Sequence, residues 1–289
     1  MWQPPTINKL SGDRLHLHHG PIDIVMKVWG TPEAMRAATR AAARAFPRIL
    51  PTLAEELKEL RKPIAKGPKV KGTIALRMVE ACQPFADQYI TPMAAVAGSV
   101  AEALIEVMLK ATPLDKAYVN DGGDIALHLT PGHTLTFGLA GDFSGGKIPK
   151  LNGRLVLTHD LGITGIATSG AQGRSFSLGI ADSVTVLAPS ASVADAAATL
   201  IANAVNIESD TIERIPADEL DPDSDLGKLL VTSDIGKLTT EQIETALDNG
   251  AKVAEAYLAR GLISGAVLML RGDDRVVGAP VAKITAKAA

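Results

Sequence analysis

From Arg14 to Trp29 apolar and polar residues alternate (RLHLHHG, then PIDIVMKVW) around Gly20-Pro21, which predicts two strands of a hairpin. The period then lengthens. In GTPEAMRAATRAAARAF, Met35, Ala38, Ala42 and Ala45 recur at helical spacing, Thr31 stands at the cap and Pro32 at the first helical position. Pro47 is expected to end that helix. A second helix is predicted over Pro92–Ala111, with small residues at Ala94, Ala95, Ala97, Gly98 and Ser99. Side chains of that size admit another backbone, or a ligand, at close range.

From Lys116 to Ala188 strand patterns dominate: KAYVN, IALHLT, HTLTFGL, GRLVLT, GITGIA and SVTVLA, broken by DGGD, TPG and DFSGG. An alanine-rich helix follows (SASVADAAATLIANAV), then an acidic loop, then a long helix from Thr239 to Arg260. Thr239 and Gln242 form a capping box for it. Ile243, Ala246, Leu247, Ala254, Tyr257 and Leu258 make its apolar face, and Gly261 stops it. ISGAVLML and RVVGA, joined by RGDD, predict a closing hairpin.

Helices before and after a block of hairpins predict an α+β fold, a mostly antiparallel sheet covered by helices. The βαβ alternation of a Rossmann unit is absent. One domain over residues 1–289 is expected, with an extended connector at about 61–72 and a frayed tail at about 281–289. The connector, KELRKPIAKGPKVKG, reads as a solvated basic linker, with a phosphate-facing loop as the second reading.

Composition narrows the partners. Hydrophobic residues are 46% and aromatics only 3%, so the core must be built from Ala, Val, Leu and Ile. A net charge of −3 gives no general attraction to nucleic acid or to an anionic membrane. The single Cys82 excludes an internal disulfide and a thiolate zinc site, and it suits packing in a reducing compartment. The start, MWQPPTINKLSGDR, lacks the apolar stretch of a signal peptide, and GLISGAVLML falls short of the ~20 residues a spanning helix needs. A cytoplasmic protein with a small-molecule ligand is the expectation; the oligomeric state stays open.

Several polar clusters are candidates for chemistry. Asp221, Asp223 and Asp225 in DPDSDLGKLLVT mimic the start of a calcium loop, but Leu226 and Thr232 stand where glycine and a bidentate carboxylate are needed, so an acidic turn is expected. His16, His18 and His19 read as strand histidines without the acidic partners of a metal site. His128, His133 and His159 are single, and no general base is identified. In VNDGGDIAL, Gly122 and Gly123 permit a tight turn, and Asn120, Asp121 and Asp124 place polar groups there; a ligand pocket and a plain hairpin both fit. Thr168, Ser169 and Gly170 end GIATSG in the same way, as a phosphate cradle or an ordinary turn. Asp195 and Thr199 share one helix face. Ser192 and Asp195 match a capping box, while the two oxygens together suit a magnesium ion.

AAVAGSVAEAL, VNDGGDIAL, IATSG and SVTVLAPSASVADAAAT occur in the order of the signatures of ApbE-type FAD:protein FMN transferases, which the chain resembles over roughly Met93–Val205. The resemblance implies an ApbE-like fold. It implies Mg2+ held by Asp195, Thr199 and a backbone carbonyl at Ala95, beside an FAD, FMN or other nucleotide pyrophosphate. By the same resemblance Asn120, Gly122, Gly123, Asp124, Thr168, Ser169 and Gly170 are nucleotide-binding residues. The family's flavin-contacting lysine or glutamate falls at Gly98, and Arg174 is the cation next in sequence to the ATSG turn. Phosphoryl or nucleotidyl transfer is one implied activity; a non-catalytic nucleotide-binding or structural protein on the same fold is the other.

Overall fold

A computed structural model describes residues 3–140, 151–173 and 175–278. Arg174, the DFSGG break and the tail lie outside the described residues. In chain order the elements are β1 (Thr6–Leu10), β2 (Arg14–His19), β3 (Ile22–Trp29), α1 (Pro32–Glu55), α2 (Leu57–Leu60), α3 (Thr73–Cys82), α4 (Val96–Ala111), β4 (Lys116–Asp121), β5 (Asp124–Leu129), β6 (Thr134–Ala140), β7 (Leu151–Thr158), β8 (Gly165–Ser169), β9 (Ser183–Ala188), α5 (Ala191–Ala204), β10 (Ile212–Pro216), α6 (Ala217–Leu220), β11 (Leu230–Ile235), α7 (Thr240–Ala259), β12 (Gly265–Leu270) and β13 (Asp273–Val277). This is an α+β fold in which β1–β2, β2–β3, β3–β4, β4–β5, β5–β8, β9–β12, β12–β13 and β10–β11 pair antiparallel.

The chain falls into two compact units. One comprises Met1–Leu135, Thr158–Ala167 and Ala188–Ala196, the other Thr136–Leu157, Thr168–Leu187 and Ala197–Ala289. In the first, the sheet runs β1-β2-β3-β4-β5-β8. Alternation on β3 turns Ile22, Ile24, Met26 and Val28 to the buried face. Phe46 of α1, Met78 of α3, and Leu104 and Met108 of α4 pack into the same core. In the second unit β9, β12 and β13 form consecutive strands, β10 pairs with β11, and α7 packs on β12 and β13. The predicted capping box of α7 is present: Thr239 Oγ1 accepts from Gln242 N at 3.2 Å, and Gln242 Oε1 accepts from Thr239 N at 2.9 Å.

The first helix departs from expectation. Pro47 does not end it; α1 continues to Glu55 with Pro51 also inside. Each proline removes one helical donor, but Phe46, Ile49, Leu50 and Leu53 are buried along that stretch, and their burial outweighs the loss. The basic connector is not a free solvated linker either. Glu56 accepts from the amides of Lys71 (2.5 Å) and Gly72 (2.8 Å), and Glu59 accepts from Lys69 N at 2.9 Å, so two carboxylates tie it down. Four elements go beyond the sequence reading: β1, whose five residues are all exposed, α3, whose Ala75, Met78, Ala81 and Cys82 are buried at helical spacing, and the paired β10 and β11 inside the acidic stretch. Among the described residues, Pro92–Ala111 is the one segment long and apolar enough to cross a membrane, and half of it is buried within the protein.

Candidate functional site

The small residues of α4 admit a backbone, that of α5. A methyl group on Gly98 would lie 2.6 Å from the Ala191 carbonyl carbon, nearer still to its oxygen, and 2.8 Å from Ser192 N. Gly165 of β8 is pressed against the Ser190–Ala191 peptide in the same way. These glycines let the start of α5 lie directly on α4 and β8, where any Cβ would overlap main chain.

At that crossing each helix terminates the other. Asp195 Oδ2, on α5, accepts from Gly98 N at 2.9 Å, and Ala97 N adds a further hydrogen bond to the same carboxyl group. Ala97 and Gly98 lie in the first turn of α4, where amides have no intrahelical acceptor. In return Glu102, on α4, accepts from Ala191 N (2.5 Å), Ser192 N (3.3 Å), Ser190 Oγ (2.8 Å) and Ser192 Oγ (3.0 Å). Arg77 of α3 holds Glu102 through Nε at 3.4 Å and binds Glu106 at 2.5 Å.

The expected capping box at Ser192 and Asp195 is corrected by this arrangement. The helix starts at Ala191, and Ser190 Oγ accepts from Val193 N at 3.3 Å as its cap. Glu102 supplies acceptors for the two amides that the earlier start would leave open. Asp195 therefore lies in the second turn and serves α4, a chain segment 97 residues away.

Asp195 and Thr199 keep partial solvent access, one turn apart on α5, whereas Ala95 at the cap of α4 is fully buried. Despite that access, Asp195 is set deep among neighbouring atoms. Burial raises its carboxyl well above the usual carboxylate range, and the charges of Asp124 and Asp121 push it further; the Gly98 and Ala97 amides pull the other way. Cys82 belongs to the same neighbourhood. Burial and then the charge of Asp195 hold its thiol far up, and its Sγ donates to Thr91 O at 3.4 Å, so it packs as an inert thiol.

The turn of VNDGGDIAL is a tight hairpin. Gly122 (φ 66°) and Gly123 (φ 121°) both occupy left-handed space, and Asn120 Oδ1 accepts from Gly123 N at 2.9 Å. Asp121 is buried and accepts from Asp23 N at 3.2 Å, while Asn120 and Asp124 remain partly accessible. In the second unit, Thr168 Oγ1 lies 3.0 Å from Thr185 Oγ1, and Ala171 N donates to Ala181 O at 2.8 Å. A Cβ on Gly170 would meet the Asp182 carbonyl oxygen at 2.5 Å, which gives that glycine a packing reason.

The remaining candidates stand apart. Asp223 N donates to Asp221 Oδ1 at 2.9 Å in an exposed acidic turn. His16 pairs with Asp23 at 2.5 Å, and His19 is buried against Phe46. Among the described residues no three His, Cys, Asp or Glu side chains converge as a metal cage. The role of Glu102 was missed in the sequence; its only signal there is a carboxylate one turn after Gly98.

The sequence model of a family described as AbpE bacteria matches residues 7–276. A UPF0280 protein from Methanothrix thermoacetophila is 35% identical over 162 residues, covering 56% of this chain and 63% of that protein. A UPF0280 protein from Methanosarcina barkeri is 37% identical over 147 residues, 50% of this chain and 54% of that one. The chain thus spans little more than half the length of these relatives. Among solved structures, an ApbE protein from Thermotoga maritima aligns with a TM-score of 0.49 at 12% identity, over 95% of this chain and 96% of that one. A variant of the flavin transferase ApbE from Vibrio cholerae gives 0.48 at 11%, over 95% and 97%. Likenesses of that size decide nothing about activity.

Proposed function

The chain belongs to the family described as AbpE bacteria, and from that premise we propose that it binds a flavin or other nucleotide pyrophosphate with Mg2+ and transfers a phosphoryl or nucleotidyl group. One observation carries the reading: the Asp195 carboxyl, held by the Gly98 and Ala97 amides one turn before Thr199, keeps partial solvent access, and burial, then the nearby charges of Asp124 and Asp121, raise it well above the usual carboxylate range. A divalent cation bound there would favour the charged form of Asp195. The donor chemistry fits a hard ion, since Asp195 carboxyl, Thr199 hydroxyl and Ala95 carbonyl are all oxygen, the ligand class magnesium takes.

When bound, the ion supplies charge neutralisation at phosphate oxygens. The chain's own residues do the rest. Asp195 and Thr199 present the oxygens, and the Ala97 and Gly98 amides keep the Asp195 carboxyl in one orientation. Within the first unit, Asn120, Gly122, Gly123 and Asp124 form a rigid turn proposed to line the nucleotide pocket. Within the second, Thr168, Ser169 and Gly170 are proposed as phosphate contacts.

Binding without transfer is a second reading, favoured by Gly98. The backbone of α5 fills the space beside it, so a flavin-contacting side chain has no room there. Thermal-shift titration with FAD, FMN, ADP and ATP, each with and without magnesium, tests the proposal. A magnesium-dependent rise with one nucleotide is the expected result, and released AMP or FMN separates transfer from binding. A flat response across the panel contradicts both readings.

A further inference from the structure

The crossing of α4 and α5 has an internal symmetry. Gly98 donates to Asp195, and Asp195 stands four residues after Ala191; Ala191 donates to Glu102, and Glu102 stands four residues after Gly98. Four residues is one turn, so each carboxylate is carried on the face that touches the other helix. The two backbones meet between them at Gly98 and Ala191 with no side chain to act as a spacer. The clamp is closed: its two arms are Asp195 on the α4 amides and Glu102 on the α5 amides. Neither arm can lengthen without moving the other.

We propose that Glu102 is the positioning residue for Asp195. By gathering two backbone amides and two serine hydroxyls at the start of α5, it fixes how far along α4 that helix sits. That setting determines where the Asp195 carboxyl is presented. Arg77 steadies the arrangement, since its guanidinium contacts Glu102, Glu106 and, at 3.4 Å, the Ser99 carbonyl. A purely local role for Glu102 would end at Ala191–Val193. A positioning role must be felt at Ala97 and Gly98, on the other helix, because their acceptor is Asp195. The consequence for magnesium rests on the reading of Asp195 given above; the consequence for the amides does not.

Amide hydrogen exchange by NMR on the full chain, comparing the parent with Glu102→Gln and Arg77→Met, tests the proposal. Glutamine keeps one carbonyl acceptor but loses the second oxygen and the charge. Exchange at Ala191–Val193 accelerates under either role. The expected result is that Ala97 and Gly98 also exchange faster in Glu102→Gln, by about tenfold, the range a lost helix cap gives. Arg77→Met should shift the same two amides in the same direction by less. Parent rates at Ala97 and Gly98, with faster exchange confined to Ala191–Val193, overturn the proposal. If Glu102→Gln loosens the whole protein, Arg77→Met decides by the same two amides. A magnesium titration of the parent and Glu102→Gln runs beside it: weaker binding in the variant, by about tenfold, extends the role to the metal. A parent that ignores magnesium refutes the metal reading, and the amide rates still judge Glu102.

Discussion

The N-termini of α4 and α5 are finished in the same way but in different charge surroundings. Each receives a carboxylate from the other helix on its first-turn amides, the place where a helix best accepts negative charge. Glu102, at the start of α5, has the guanidinium of Arg77 beside it, shared with Glu106. Asp195, at the start of α4, faces two more carboxylates, Asp124 and Asp121, and burial raises its proton affinity first of all. Hydrogen bonding therefore explains both residues as structure, and only the electrostatics tells them apart. A cation, Arg77, stands beside one end of the crossing; at the other, the charges that raise the capping carboxyl are those of carboxylates.

The crossing itself is the most sensitive place to break this pair. Gly98→Ala drives a methyl group into the Ala191 peptide and should cost about 3 kcal/mol, the upper part of the overpacking range. Gly123→Ala, where a Cβ meets nothing but φ is positive, should cost about 1 kcal/mol. Urea denaturation of the two variants measures the difference. Glu102→Ala removes the acceptor of four donors and should lose about 2–3 kcal/mol, the scale of hydrogen bonds to a charged group.

Arg77→Met removes the cation beside Glu102 and leaves Glu106 near it. A loss of about 1–2 kcal/mol is expected by the same denaturation, because the Arg77 and Glu102 side chains are mostly buried. Asp195→Asn has the smallest effect at neutral pH and the clearest pH signature. A carboxyl raised in the folded state holds its proton there after the unfolded chain has lost it. Its contribution is complete below the ordinary value of 3.8 and fades as pH rises through the raised one. The metal-free parent should lose stability over that window relative to Asp195→Asn. Equal slopes in denaturation as pH rises from the ordinary value of 3.8 would contradict the shift.

Much of this frame is legible along the chain, because the β2–β3 alternation, the Thr31 cap and the Thr239–Gln242 box are local patterns with local causes. Pro47 misleads because burial of Phe46 and Leu50 depends on a sheet assembled elsewhere. β1 is invisible because all of its residues are exposed, which leaves no apolar alternation to read. The site divides the same way. Asp195 and Thr199 on one helix face follow from spacing, and Gly122–Gly123 from turn chemistry. That Asp195 serves α4, and Glu102 serves α5, needs contacts across 97 and 89 residues, and no periodicity reports those.

Crystals soaked with Mn2+, read by anomalous scattering, test the central claim most directly, since manganese shares the oxygen-ligand preference of magnesium. The account predicts a peak at about 2.1–2.2 Å from an Asp195 carboxyl oxygen, near the distance expected for a hard divalent ion. Bound manganese only at exposed acids such as Glu208 and Asp210, with none at Asp195, would leave that carboxylate a helix cap and refute the metal site.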